Sequence, residues 1–137
     1  VRGSDGLDEV TIFADTEVWD ATRGGAVHLD SIRLAATGVS EGQASELKGG
    51  TAELNAKIAR DMFGGATEGP LRAVRDAVVL NTAAALVAWD AANGIHSDED
   101  ITARVIAAMP RAAEAIDSGA VLRLLDRWAA VSSEAAR

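Results

Sequence analysis

The 137-residue sequence contains no cysteine, which excludes a disulfide framework, a thiolate nucleophile and a zinc site of the cysteine type. Its two histidines, His28 and His96, lie in very different settings without an obvious serine partner, so no nucleophilic triad is expected. Glycine is present but not in a phosphate-binding pattern. Gly24-Gly25, Gly49-Gly50 and Gly64-Gly65 match neither the dinucleotide fingerprint nor the P-loop, which also needs Lys followed by Ser or Thr. Positive charge is short: 13 Lys and Arg face 21 Asp and Glu, for a formal net charge of -8 and a pI of about 4.6. Nucleic acid would therefore meet a repulsive average field and is not an expected partner, whereas a phosphorylated small molecule can still be held through a metal ion. The longest apolar run, Ala77 to Trp89, is interrupted by Asn81 and Thr82 and is shorter than the roughly 20 residues needed to span a bilayer. No membrane segment is expected. The opening Val1-Arg2-Gly3-Ser4 lacks the basic-then-apolar order of a signal peptide. It reads instead as the end of a strand begun elsewhere, so the chain is expected to be part of something larger.

What is present describes one globular unit with a core: 48% hydrophobic and 25% charged residues. Most of the β-type signal falls between Glu9 and Leu34, and Arg23-Gly24-Gly25 has turn chemistry between two runs. A hairpin of short strands with one covered face follows, with alternation in Val10-Thr11-Ile12 and Val27-His28-Leu29-Asp30. His28, in a polar slot beside Asp30, reads as an exposed or capped strand residue rather than a catalyst. After Gly38 the pattern is helical. Ser40 and Gln43 have capping-box spacing for a short helix closed by Gly49-Gly50, and Thr51 caps a helix with Leu54, Ile58 and Met62 at intervals of four. Met62 and Phe63 read as core anchors rather than a ligand box. Gly69-Pro70 starts a long helix to Asn93-Gly94, apolar nearly all round and hence central. Its Asn81 needs partners, because an unpaired buried amide costs on the order of 1 to 3 kcal/mol, and pinning a neighbouring backbone segment would supply them. Ser97 with Asp98-Glu99-Asp100 reads as a cap and acidic first turn more readily than as a metal site. The helix that follows, with Ile101, Val105 and Met109, is expected to kink or break near Pro110 and again at Asp117-Ser118-Gly119. A last helix carries Val121, Leu122, Leu125 and Trp128 before a tail that should fray past Ser132.

One stretch invites chemistry. Ser4-Asp5-Gly6-Leu7-Asp8-Glu9 places three carboxylates within five positions. On a regular strand Asp8 and Glu9 would point to opposite faces, so they can share a ligand only if the segment breaks into a loop, as Gly6 permits. Adjacent carboxylates without Cys or a nearby His suit a hard cation, and Mg²⁺ is commonly held by one or two carboxylates plus phosphate oxygens. A solvated acidic turn is the plainer reading of the same residues, and the local sequence alone leaves both open.

Asp5-Gly6-Leu7-Asp8-Glu9 resembles the acidic loop of the anthranilate phosphoribosyltransferases. Gly49-Gly50-Thr51-Ala52-Glu53-Leu54-Asn55-Ala56 is similar to that family's paired glycines before an Asn-Ala helix. Gly69-Pro70 with Arg75-Asp76-Ala77-Val78-Val79-Leu80-Asn81-Thr82-Ala83-Ala84-Ala85-Leu86 resembles its long buried helix, and Ala115-Ile116-Asp117-Ser118-Gly119-Ala120 its closing segment. The matches keep the family's order and cover nearly the whole chain. Leu71-Arg72-Ala73-Val74 is a departure, inserted where the family needs fewer residues, so the start of that helix is expected to shift or extend.

The resemblance implies an α+β fragment of an α/β domain of the nucleoside phosphorylase/phosphoribosyltransferase type: a metal loop and hairpin over 1–39, then about four to five helices over 40–137. It implies transfer of the phosphoribosyl group from phosphoribosyl pyrophosphate (PRPP) to anthranilate in tryptophan biosynthesis, in a cytoplasmic homodimer. Asp8 and Glu9 would hold Mg²⁺ against the pyrophosphate, with Asp5, Gly6 and Leu7 shaping the loop and Arg75, Asp76 and Asn81 as scaffold. The family's N-terminal helical domain and glycine-rich PRPP loop have no counterpart here. The remainder of the polypeptide would supply them, the fragment alone should be inactive, and strand edges and apolar surface are expected to be uncovered. The alternatives are a part of a related pyrimidine nucleoside phosphorylase or a non-catalytic α+β interaction domain.

Overall fold

A computed structural model describes residues 1–135. Three short strands, β1 (Arg2–Gly3), β2 (Thr16–Asp20) and β3 (His28–Ile32), form an antiparallel sheet in the order β1-β2-β3. Four α-helices follow: α1 (Ala52–Phe63), α2 (Pro70–Ala92), α3 (Ile101–Asp117) and α4 (Ala120–Ala135). Single 3-10 turns at Leu34–Ala36 and Ala44–Leu47 lead from the sheet to α1. The architecture is the expected α+β one, with four α-helices, and the expected hairpin is β2-β3, paired from Thr16↔Ile32 to Asp20↔His28.

Val10 and Ile12 are buried as their alternation suggested, but Thr11 between them is buried as well and the segment forms no strand. Its backbone finds other partners: Val10 bonds the Asn81 side chain, the Thr11 N–H donates to Thr16 Oγ1 at 3.2 Å, and the Ile12 carbonyl accepts from the Gly42 N–H at 2.9 Å. The covered face of the hairpin also departs from expectation. Trp19 and Leu29, cross-strand partners, are 51% and 71% exposed, while Asp20 points inward. An inward carboxylate is tolerable because α3 brings Arg104 to it: Arg104 Nη1 donates to Asp20 Oδ2 at 2.8 Å and Nη2 to Thr22 Oγ1 at 2.6 Å. Burial by itself would raise the Asp20 pKa, but the Thr22 hydroxyl and N–H, Arg23 and Arg104 together hold it down at about 2.

Helix ends follow local chemistry, with some shifts of position. Thr51 caps α1 through the Leu54 N–H, Pro70 opens α2, and Gly94 and Gly119 follow the ends of α2 and α3. α2 runs unbroken through Leu71-Arg72-Ala73-Val74, with Ala73 buried, so these residues form its first turns. The capping box is Gln43 with Glu46 rather than Ser40 with Gln43. The cap of α3 is Asp100, whose side chain accepts from the Ala103 N–H at 2.8 Å; Ser97 lies too early and accepts from the Glu99 N–H. α3 continues through Pro110 to Asp117. Pro110 and Ile106 are on the exposed side, where the carbonyl that proline leaves without a donor can be hydrated, while Ala108 and Ala112 on the other side stay packed. α4 is helical to Ala135 rather than frayed past Ser132; residues beyond lie outside the described ones.

The core crosses the boundary at residue 39. Val10, Ile12, Val18, Ile32 and Leu34 pack on Leu80, Ala83 and Val87 of α2 and on Ile101, Val105 and Ala108 of α3. A second cluster joins Met62 of α1, Val79 of α2 and Ala112 and Ile116 of α3, with Phe63 and Val121 against it. Small residues at the α2–α3 contact let the two helices approach closely. Arg75 reaches Asp117 at 2.6 Å and Asp90 reaches Arg111 at 2.5 Å, so these helices run in opposite directions. Apolar side chains also remain outside: Trp19 and Leu29 on the sheet, Val27 just before β3, Trp89 on α2, and Leu124, Trp128 and Val131 along α4.

Candidate functional site

The acidic stretch directly follows β1. Gly3 donates its N–H to the Leu7 carbonyl at 2.8 Å, and its own carbonyl accepts from the Gly6 N–H at 2.9 Å, which closes a tight turn. Gly6 sits at φ +98°, a conformation that side chains with a Cβ resist. Gly3 is required for space: a Cβ there would lie 2.2 Å from Asp5 Oδ1. Asp5 is thereby folded back, accepting from the Thr11 hydroxyl at 2.7 Å and from the Leu7 N–H at 3.2 Å. Thr11 Oγ1 in turn accepts from the Phe13 N–H at 3.0 Å.

Of the three carboxylates, Asp5 is thus a structural element of its own loop, and Asp8 and Glu9 are left. Both lie in a bend rather than on a strand, as sharing one ligand requires, and both are exposed. Neither is engaged by a hydrogen bond or ion pair among the described residues; the loop's bonds run through Gly3, Asp5 and Val10 instead. Glu9 borders a groove of about 440 Å³ between α1 and α2, whose wall includes Met62, Phe63, Val74 and Val78 and whose rim includes Lys48 and Asn55. Lys48 was not singled out by sequence reasoning, since an isolated lysine before two glycines carries no pattern of its own.

Two exposed oxygen donors without internal partners match the chemistry of a hard cation that takes its remaining ligands from water and phosphate. Among the described residues no three or more of His, Cys, Asp and Glu converge as a metal-binding group. In the other acidic stretch Asp100 is the carboxylate engaged among the described residues, while Asp98 and Glu99 are exposed. Asp100 caps α3, pairs with Arg33 at 3.0 Å, and is held below the usual carboxylate range by the Ala103 N–H and then Arg33. Asp30, on β3, accepts from the Ile101 N–H at 3.2 Å. His28 is an exposed strand residue. Arg75 and Asp76 serve α2 and its neighbour: Arg75 pairs with Asp117, and Asp76 with Arg72 at 3.0 Å. Among the described residues no helix is long and apolar enough to cross a membrane.

Known proteins resemble this chain along nearly its whole length. It is 44% identical over 134 residues to an anthranilate phosphoribosyltransferase of Nocardia farcinica, with 97% of this chain and 37% of the relative covered. It is 44% identical over 137 residues to that of Saccharopolyspora erythraea, covering 100% and 36%, and 42% identical over 131 residues to that of an Arthrobacter species, covering 96% and 35%. The chain therefore spans little more than a third of the length of these relatives. Residues 1–122 match the family described as "Glycosyl transferase family, a/b domain", and the chain belongs to that family.

Proposed function

We propose that this chain is the metal-binding part of an anthranilate phosphoribosyltransferase, which moves the phosphoribosyl group from PRPP to the amine of anthranilate and releases pyrophosphate. The observation that carries the reading is the condition of Asp8 and Glu9: two adjacent carboxylates, exposed and unengaged, in a chain 44% identical to enzymes of that name. On this reading Asp8 and Glu9 hold Mg²⁺ against the pyrophosphate oxygens. Bound there, Mg²⁺ supplies Lewis-acid neutralisation of the charge that collects on the leaving pyrophosphate. The residues of the chain contribute position: the Asp5–Thr11 bond and the turn at Gly3–Gly6 hold the loop, and α2 backs it.

The same reading assigns the PRPP glycine-rich loop and an N-terminal helical domain to the remainder of the polypeptide, and places the enzyme in tryptophan biosynthesis in the cytoplasm as a homodimer. The apolar residues left outside, Trp19 and Leu29 above all, are suited to cover by further protein. The test is made in the intact protein. Asp8→Asn with Glu9→Gln should abolish PRPP-dependent Mg²⁺ binding and the loss of anthranilate fluorescence that follows turnover. An unchanged rate and unchanged metal binding in the double variant would overturn the assignment.

A further inference from the structure

The geometry points to Asn81 as a positioning residue for the acidic pair: from the middle of α2 its amide holds the backbone of Val10 and so sets the presentation of Asp8 and Glu9. This rests on the reading of those two residues as the cation pair.

The Val10 N–H donates to Asn81 Oδ1 at 2.9 Å, and Asn81 Nδ2 donates to the Val10 carbonyl at 2.8 Å. A single side chain thus takes both backbone groups of one residue, as a neighbouring strand would. The amide is itself fixed, because Nδ2 also donates to the Ala77 carbonyl one turn earlier at 3.0 Å. The helix behind it is anchored by Leu80 and Ala83, both fully buried. The Val10 N–H belongs to the peptide unit that joins Glu9 to Val10, so its bond fixes the orientation of that unit and the exit of the loop. The entry is fixed at Leu7 by the Gly3 N–H. Asp8 and Glu9 therefore lie between two held points, Leu7 and Val10. An amide in the apolar middle of a helix costs stability unless fully bonded. Here two of its three bonds go to Val10, next to the acidic pair, one goes to its own helix, and none goes to another helix.

Side chains would keep Val10 and Ile12 in the core without Asn81, since each is almost completely buried. What Asn81 adds is control of the peptide planes. A carboxylate pair that must meet a cation and a phosphate together depends on such control, and outer-shell partners of metal ligands typically affect affinity by about 10- to 100-fold.

The test uses the intact protein with Mn²⁺ as the probe, read by EPR in the presence of PRPP, together with amide exchange over residues 4–10. Asn81→Ala should weaken Mn²⁺ binding about tenfold, speed exchange at Val10, and raise the Mg²⁺ concentration for half-maximal rate, with kcat largely recovered at saturating Mg²⁺. A merely structural Asn81 would lower Tm and leave the metal requirement alone. Asn81→Asp keeps an acceptor for the Val10 N–H and serves if the alanine variant fails to fold. Its added negative charge favours a cation, so weaker binding in that variant supports the proposal with more force. Mn²⁺ affinity within twofold of wild type in the folded variants overturns it. Asp8→Asn with Glu9→Gln separates the two readings. If that pair abolishes binding and the Asn81 variants leave it intact, only the positioning role fails; if that pair binds as wild type does, the cation reading fails and the positioning role with it.

Discussion

The acidic stretch at Asp98–Asp100 and the one at Asp5–Glu9 each carry three carboxylates within a few residues, and in each the fold engages one, Asp100 or Asp5, and leaves an adjacent pair exposed; the two differ in what holds the backbone of that pair. In the first, Asp100 serves the Ala103 N–H and Arg33, and the Glu99 carbonyl takes a bond from Arg23 at 2.7 Å. In the second, Asp5 is absorbed by Thr11, while Asp8 and Glu9 are held in position with nothing to hold themselves. A carboxylate that faces a donor of its own chain contributes to folding. One that is exposed and unengaged contributes little to folding, whatever bonds hold the backbone on either side of it. Asp20 marks the far end of this scale, buried and bonded to Thr22, Arg23 and Arg104.

The largest stability effect should fall where the carboxylate is most engaged. Asp20→Ala leaves Arg104 buried without its anion and should cost about 3 to 5 kcal/mol in chemical denaturation. A small loss there would mean that water takes over the ion pair and that the corner is weaker than its geometry indicates. Acid should reproduce part of the effect in the wild-type protein. The folded pKa of Asp20, about 2, lies below its ordinary value of 3.8, so the stabilisation is fully present above pH 4 and is lost as pH falls through 2, amounting to about 2 kcal/mol. Denaturant midpoints measured between pH 5 and pH 2 check this, and Asp20→Asn should flatten the slope in that window.

A smaller effect is expected at the second stretch. Asp100→Ala removes the cap of α3 and the partner of Arg33 and should lower Tm by a few degrees without altering any cation response. The smallest stability effect should come from Asp8→Asn with Glu9→Gln, within about 0.5 kcal/mol of wild type as for surface positions without partners, although the same change is expected to abolish cation binding. If this pair destabilised the protein as much as Asp100→Ala, the contrast between the engaged Asp100 and the unengaged Asp8 and Glu9 would collapse, because the pair would then be engaged in the fold.

Much of the acidic loop was legible in the residues. Gly6 beside adjacent acids indicated a loop at 8–9, and Asn81 in an apolar helix indicated a backbone partner. Neither showed that the two features meet, because Asn81 and Val10 are 71 positions apart. The covered face of the hairpin was hidden for a similar reason. The alternation of Val27 and Leu29 points to their side as the covered one, yet Leu29 is exposed and Asp20 is buried, where Thr22, Arg23 and Arg104, the last 84 positions away, engage its carboxylate. Val10–Ile12 carries strand residues, but whether an extended segment joins a sheet depends on which neighbour reaches its backbone, and here side chains and a loop arrive first.

Local interactions let the sequence by itself determine where the helices begin and end. Thr51, Pro70, Gly94 and Gly119 act within one turn of their own positions, and the errors at Ser40 and Ser97 are shifts of three residues among nearby polar caps. Pro110 shows the limit, since a helix interrupter is overruled when one face of the helix is packed and the other is open to water. Tertiary structure decided which carboxylates gain donors from distant elements, as Asp20 does from Arg104, Asp30 from the Ile101 N–H and Asp100 from Arg33. A carboxylate's fate depends on whether a donor from another element comes within about 3 Å of it, and spacing along the chain does not encode that approach.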